Sequence, residues 1–129
     1  MPLAVRVYPE QFSVCQLLPD APASADILAR PLTCFFRAQD EATLICPTAL
    51  APKNVKTESG YIALEVIGPF NLAQIGILNQ VTGPLAAAGV SIFVLSSFNT
   101  DYFLIKAEKR AAALAALRQA GHTIANDQD

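Results

Sequence analysis

The clearest pattern of apolar and polar positions lies in the second half of the chain. Tyr61-Ile62-Ala63-Leu64-Glu65-Val66-Ile67 is an apolar run closed by Gly68-Pro69 and predicts a strand. From Leu72 the apolar residues recur at 72, 75, 78, 81 and 85, the spacing of one helix face, so a helix is expected over 72–88. Pro84 lacks a backbone donor and predicts a kink late in that helix, and Gly89 predicts its left-handed cap. Residues 90–96 and 101–106 read as strands joined by a short hairpin. Residues 108–120 are rich in Ala and Leu, with Leu114 and Leu117 on one helical face, and Gly121 stops them. A short strand over 122–125 follows, and 126–129 should fray. The order βαββαβ is an α+β, ferredoxin-like plan: a four-stranded antiparallel sheet with two helices on one face.

The first half reads as a reduced version of the same plan. Residues 3–8, 12–18, 32–37 and 42–46 are expected strands, with a short helix over 24–29 that starts near Ser24 or Asp26. Composition changes near residue 58. Every glycine lies at or after Gly60, whereas seven of the nine prolines lie before it. The stretch from Ala51 to Gly60 is polar and rich in breakers, the mark of a linker or long surface loop. The expected division is therefore a degenerate unit over 1–57 and a full unit over 58–126.

Composition narrows the functional classes. At 129 residues, 53% apolar and 16% charged, the chain has enough apolar material for a real core, which excludes intrinsic disorder. Nine Lys and Arg against eleven Asp and Glu give a net charge of −2, with no electrostatic footprint for nucleic acid or an anionic membrane. No apolar run approaches the ~18 residues of a membrane span. The N-terminus lacks the basic-then-apolar order of a signal peptide. Cys15, Cys34 and Cys46 are odd in number and form no C-x-x-C, so reduced thiols and a cytoplasmic location are expected.

The usual catalytic constellations are missing. His122 is the sole histidine and reads as structural at a strand start. The span from Gly76 to Gly83 has the glycine spacing of a P-loop, but Pro84 stands where the lysine must be. There is no G-x-S-x-G or G-x-G-x-x-G, and one His with scattered Cys makes no zinc pattern. Acylphosphatases share the fold plan but need an arginine after the first strand, and Gly68 to Asn71 contains none. Tyr102 and Phe103 lack the basic framing of an RNA-binding sheet. No cofactor is implied. What remains is a site built on backbone. The loop Gly68 to Asn71 leads to a helix start whose N–H groups favour a carboxylate, and Gly76 inside the helix suggests a close approach or tight packing. The 96–101 hairpin offers Ser96, Ser97, Thr100 and Asp101. Asp101 either caps its own turn or binds a ligand cation.

These residues carry a resemblance. Gly76-Ile77-Leu78, the run from Pro84 to Ile92, the run from Leu95 to Ile105 and Ala120-Gly121-His122 resemble an ACT domain over roughly 64–124. The signature Ser96-Ser97-Phe98-Asn99-Thr100-Asp101-Tyr102 is similar to the branch in small bacterial tandem-ACT proteins, aspartate kinase regulatory regions and CASTOR-type arginine sensors. Asp40-Glu41 at a strand start resembles the first ACT unit of that branch. Ser97 stands where threonine is commoner, and the chain has no tryptophan where relatives often carry one in each half.

The resemblance implies a non-catalytic module that binds a free amino acid, with two ACT units in one chain. By analogy with the arginine sensors, Gly76 and Ile77 would form the helix-start segment. Ser91 and Ile92 would supply backbone contacts, and Ser97, Phe98, Thr100 and Asp101 the hairpin, with the acid meeting a basic side chain. The chain has one good copy of that unit, so a comparable site would need a homodimer. An assembly module without ligand and a small enzyme are the competing expectations.

Overall fold

The computed structural model describes residues 2–68, 70 and 76–125. The chain forms two compact units, Glu10–Tyr61 and Met1–Pro9 with Ile62–Asp129. Strands are β1 (Ala4–Leu17), β2 (Cys34–Arg37), β3 (Ala42–Pro47), β4 (Lys56–Val66), β5 (Phe93–Ser96), β6 (Asp101–Lys106) and β7 (Thr123–Ile124); helices are α1 (Ala25–Leu28), α2 (Ile77–Ala87) and α3 (Arg110–Gln119).

The larger unit follows the expected plan with one addition. Its strands lie in the order β5-β6-β4-β1-β7. In a ferredoxin-like sheet the first and last strands of the βαββαβ unit, here β4 and β7, would be neighbours. The start of β1 lies between them instead and pairs parallel with β7, Ala4 opposite Thr123 and Val5 opposite Ile124. The composition break at 57/58 assigns residues 3–8 to the first half, but they belong to this unit. Pairing is long-range, and composition does not record it. The core gathers Val5, Val7, Leu64, Val66, Phe103 and Ile105 from the sheet with Val81, Leu85, Leu114 and Leu117 from the helices.

Both helices stop in the same way. Gly89 has φ 75°, its N–H donates to Ala86 O at 3.0 Å, and Val90 N donates to Leu85 O at 2.9 Å. Gly121 has φ 95°, with Gly121 N to Arg118 O and His122 N to Leu117 O, both 3.0 Å. These are Schellman caps, in which a left-handed glycine turns the chain back on the helix. The cap explains why β5 begins at Phe93 and not at Val90: the Val90 N–H is already used by the helix end.

Of the helix expected over 72–88, residues 72–75 lie outside the described residues, as do 126–129. The described helix begins at Ile77, and Gly76 is its N-cap with φ 88°. A Cβ at Gly76 would meet nothing within 4 Å, so the glycine serves its backbone angle and not a close approach. The helix runs through Pro84 to Ala87. Pro84 cannot bond the carbonyl of Gln80, one turn back. His122 takes that carbonyl: its Nε2 lies 2.9 Å from Gln80 O, while its Nδ1 accepts from Leu3 N at 3.0 Å. A carbonyl only accepts and an amide only donates, which fixes the imidazole as neutral with the proton on Nε2.

The smaller unit orders its strands β2-β3-β1-β4. The second part of β1 pairs antiparallel with β3, from Phe12 opposite Pro47 to Leu17 opposite Ala42, and β3 pairs antiparallel with β2. Cys15, Leu44 and Cys46 form one buried cluster in it, with Leu17, Ile27, Phe35, Ala51 and Val55 packed around them, and Phe12, Ala42 and Ile45 are buried as well. Buried Ser13 shares hydrogen bonds with the hydroxyls of Thr48 and Ser59, each 2.9 Å. Ser24 caps the start of α1, its Oγ accepting from Ile27 N. Three expectations change here. The strands expected over 3–8 and 12–18 are one strand through Pro9, the proposed linker from Ala51 to Gly60 is strand from Lys56 onward, and β2 starts at Cys34 because Leu32 is left-handed, with φ 59°.

Two outcomes test this packing. His122→Phe keeps the bulk but orphans Gln80 O and Leu3 N, at about 1–3 kcal/mol each. Adding Pro84→Ala returns a helix donor to Gln80 O, so denaturation of the double variant should show recovery of about 1 kcal/mol. Additivity within about 0.5 kcal/mol would mean that the two residues do not share that carbonyl. The second outcome concerns pH. Burial, then the neighbouring Cys15, pushes the Cys46 thiol up from 9.0 to about 11. Above pH 9 the unfolded chain releases this proton and the folded chain keeps it. Stability that is complete below pH 9 should therefore fall as pH rises toward 11, and urea midpoints of Cys46→Ala should show a flatter decline.

Candidate functional site

The β5–β6 hairpin is closed by its own hydroxyls. Ser96 lies opposite Asp101 in the strand register, and Ser96 Oγ donates to Asp101 Oδ1 at 2.6 Å. Across the turn, Ser97 N donates to Thr100 O at 2.8 Å, Ser97 Oγ donates to the same carbonyl at 3.1 Å, and Thr100 N donates to Ser97 Oγ at 3.2 Å. Thr100 Oγ1 donates to Val66 O, which ties the turn to the end of β4. The hydroxyls of Ser97 and Thr100 are thus engaged inside the protein, and Thr100 is buried. Asp101 is held across the hairpin by Ser96 rather than capping the turn.

The loop after β4 is stitched to this turn. Phe70 N donates to Asn99 O at 2.7 Å. The approach requires a glycine at position 68: a Cβ there would lie 2.9 Å from Phe70 N and 3.1 Å from Asn99 O. Beside the junction is a cavity of about 240 Å³. Gly76, Ile77, Ser97, Phe98, Thr100 and Asp101 line it, all of them expected from the sequence. Ser91 and Ile92 do not; Ile92 packs against the core and Ser91 is exposed, in the connection before β5. Phe70, Leu78, Ser96 and Asn99 line the cavity as well. Leu78 belongs to the helical spacing and the ACT-like Gly76-Ile77-Leu78 segment, and Ser96 and Asn99 sit within the signature, whereas Phe70 carries no signal of its own.

Electrostatically the two sides differ. Asp101 is the one ionisable residue among the described lining residues. Opposite it, α2 begins with no side-chain cap and no acid in its first turn. The helix ladder begins with Gln80 N donating to Gly76 O at 3.2 Å. The earlier N–H groups of the helix have no partner within it, and they carry the positive end of its dipole. The rim is apolar: Phe98 is 78% and Leu78 42% exposed. Among the described residues no group of His, Cys, Asp and Glu could hold a metal ion, and no helix is long and apolar enough to cross a membrane. The cysteines are free thiols.

The comparisons with known proteins agree with the ferredoxin-like fold of the larger unit. The ACT domain family model matches residues 56–119, and the chain is an ACT-domain protein. No curated protein matches in sequence. Among solved structures, a protein of Agrobacterium tumefaciens is similar at a TM-score of 0.90 and 22% identity, over 100% of this chain and 96% of that one. A Vibrio cholerae protein described as a possible transport protein is similar at 0.72 and 19%, over 92% and 89%. The regulatory subunit of aspartate kinase from Thermus flavus is similar at 0.64 and 15%, over 91% and 96%. At these identities the likeness concerns the fold.

Gly68→Ala tests the construction of the site. Two of the three atoms its Cβ would crowd are backbone, so relief requires the loop and the turn to part. The expected cost is about 1–3 kcal/mol, with faster amide exchange at Phe70. An unchanged exchange rate would mean that the close approach does not hold the site together.

Proposed function

We propose that this protein is a non-catalytic regulatory module that binds a free amino acid in the cavity between the start of α2 and the β5–β6 hairpin. The observation that carries the reading is the charge arrangement. The first N–H groups of α2 have no acceptor within the helix, and Asp101 is the ionisable residue among the described lining residues, which suits a carboxylate at the first and an amine or basic side chain at the second. Membership among ACT domains supports a regulatory role, and likeness to aspartate kinase regulatory subunits supports amino acids as the ligand class. A cytoplasmic site of action suits three free thiols.

The apolar rim supports a homodimer. Phe98 and Leu78 leave the cavity mouth lined with exposed carbon, and a second copy would cover it. The smaller unit supports a tandem arrangement. Its strand order, β2-β3-β1-β4, is that of a ferredoxin-like sheet, and the turn Thr48–Leu50 stands where the second helix would be. A module that only assembles, with no ligand, is the second reading, and the same exposed Phe98 favours it.

A thermal-shift screen with the twenty amino acids separates the two. A ligand that binds only the folded state stabilises it by about 2.7 kcal/mol at a hundredfold excess over Kd. Asp101→Asn keeps the shape and removes the charge. It should weaken a basic ligand by about ten- to hundredfold, the worth of one charge-assisted hydrogen bond. Equal binding by the variant would make Asp101 a hairpin residue only, and no stabilisation by any amino acid would leave the assembly reading.

A further inference from the structure

The sheet of the larger unit carries a second polar cavity, of about 310 Å³, on the face away from its core. Strand alternation builds it. Val5, Val7, Leu64, Val66 and Phe103 point into the core, so Arg6, Tyr8, Glu65 and Tyr102 stand on the opposite face. Glu65 is the hub. Its Oε1 accepts from Arg6 Nη1 at 2.9 Å and from the Tyr8 hydroxyl at 2.5 Å. Its side chain is 13% exposed, against 43% for Arg6. Burial, and then the Glu65 carboxylate, holds the Tyr8 and Tyr102 phenols above their ordinary value.

This cluster still has capacity to bind. Arg6 bonds Glu65 through one nitrogen and also engages the Tyr8 hydroxyl, but a guanidinium presents five donors in a planar fork, so donors remain. Asn99 and Tyr102 line the same cavity, the Tyr102 hydroxyl already engaged with Ser97 and Glu65. Ser97 and Thr100 frame it with hydroxyls already engaged within the turn. The charges select the ligand. A bare anion approaching Arg6 also meets Glu65, and a bare cation approaching Glu65 also meets Arg6. A molecule with both charges a few bonds apart sets each against its opposite.

We infer that this cavity is a second small-molecule site, which takes a zwitterionic α-amino acid with its carboxylate on Arg6 and Asn99 and its ammonium on Glu65. The site goes beyond the function proposed above. It shares only the 97–100 turn and its Ser97, Asn99 and Thr100 with the first cavity, needs no basic side chain on the ligand, and stands whether or not the first cavity binds.

The test is an NMR titration with glycine and then the other common amino acids, with acetate and methylamine as the two half-ligands. The Arg6 side-chain N–H and Tyr102 ring signals report this cavity; the Ile77 and Leu78 methyl signals report the first. Saturable shifts at Arg6 and Tyr102 are expected with at least one amino acid, with the half-ligands weaker by about tenfold or more. Arg6→Gln should cost about tenfold or more in affinity, as loss of a charge-assisted hydrogen bond does. Because that change strands Glu65, the neutral pair Arg6→Gln/Glu65→Gln is measured beside it and should also lose binding while keeping a dispersed spectrum. The proposal is overturned by shifts confined to Ile77 and Leu78, by no saturable shift with any amino acid, by acetate binding as well as the amino acids, or by unchanged affinity in the paired variant.

Discussion

A proline in a helix leaves one carbonyl without its donor, and the larger unit is organised around how that carbonyl is satisfied. Pro84 withholds a hydrogen bond from Gln80 O, and His122 supplies one from the end of the other helix. The same imidazole accepts from Leu3 N, at the start of the chain. One ring therefore ties α2, the cap of α3 and β1 together. Its position follows from Gly121, whose left-handed turn carries the chain back from α3. Immediately afterwards Thr123 N donates to Leu3 O and Ala125 N to Val5 O, so the parallel pairing of β1 with β7 grows from the point where the imidazole holds Leu3. An interior helix proline would normally be a cost. Here the vacancy it creates is the contact that brings the N-terminal segment into the sheet.

The 97–100 turn has the same economy. Ser97 and Thr100 bond to each other and Thr100 bonds to β4, which leaves the side chains that face outward, Phe98 and Asn99, on a rigid support. Gly68 lets the loop after β4 come close enough for Phe70 to bond Asn99. Both cavities of this unit meet at that turn. A ligand in either needs little further ordering of the backbone, so less of its interaction energy is spent on fixing the site.

The hairpin, the two helices and their glycine stops were legible because each rests on a local rule: alternation, helical spacing and the left-handed cap. The helix-start and hairpin residues Gly76, Ile77, Ser97, Phe98, Thr100 and Asp101 were legible as a group through the family signature. Long-range pairing was not. Nothing in Leu3 to Tyr8 says that it lies between β4 and β7, since an apolar alternation fits any sheet position with one buried face. Pro9 and Gly60 read as breakers, yet β1 and β4 run through them, because a strand tolerates a missing donor or a left-handed residue where pairing resumes beyond it. The Glu65 cluster was invisible for a related reason. Arg6, Glu65 and Tyr102 are scattered in sequence and meet only when three strands are in register.

Cys15 and Cys46 are buried neighbours in the core of the smaller unit, whereas Cys34 lies half-exposed on β2 at the edge of its sheet. A thiol reacts as its thiolate and only where a reagent can reach it. The smaller unit thus contains its own clock. Alkylation of Cys34 proceeds from the folded protein, while that of Cys15 and Cys46 waits for the strands to part and counts those openings one at a time. Native chemistry alone, with no introduced label, therefore reports how often the smaller unit opens, since all three thiols lie within it.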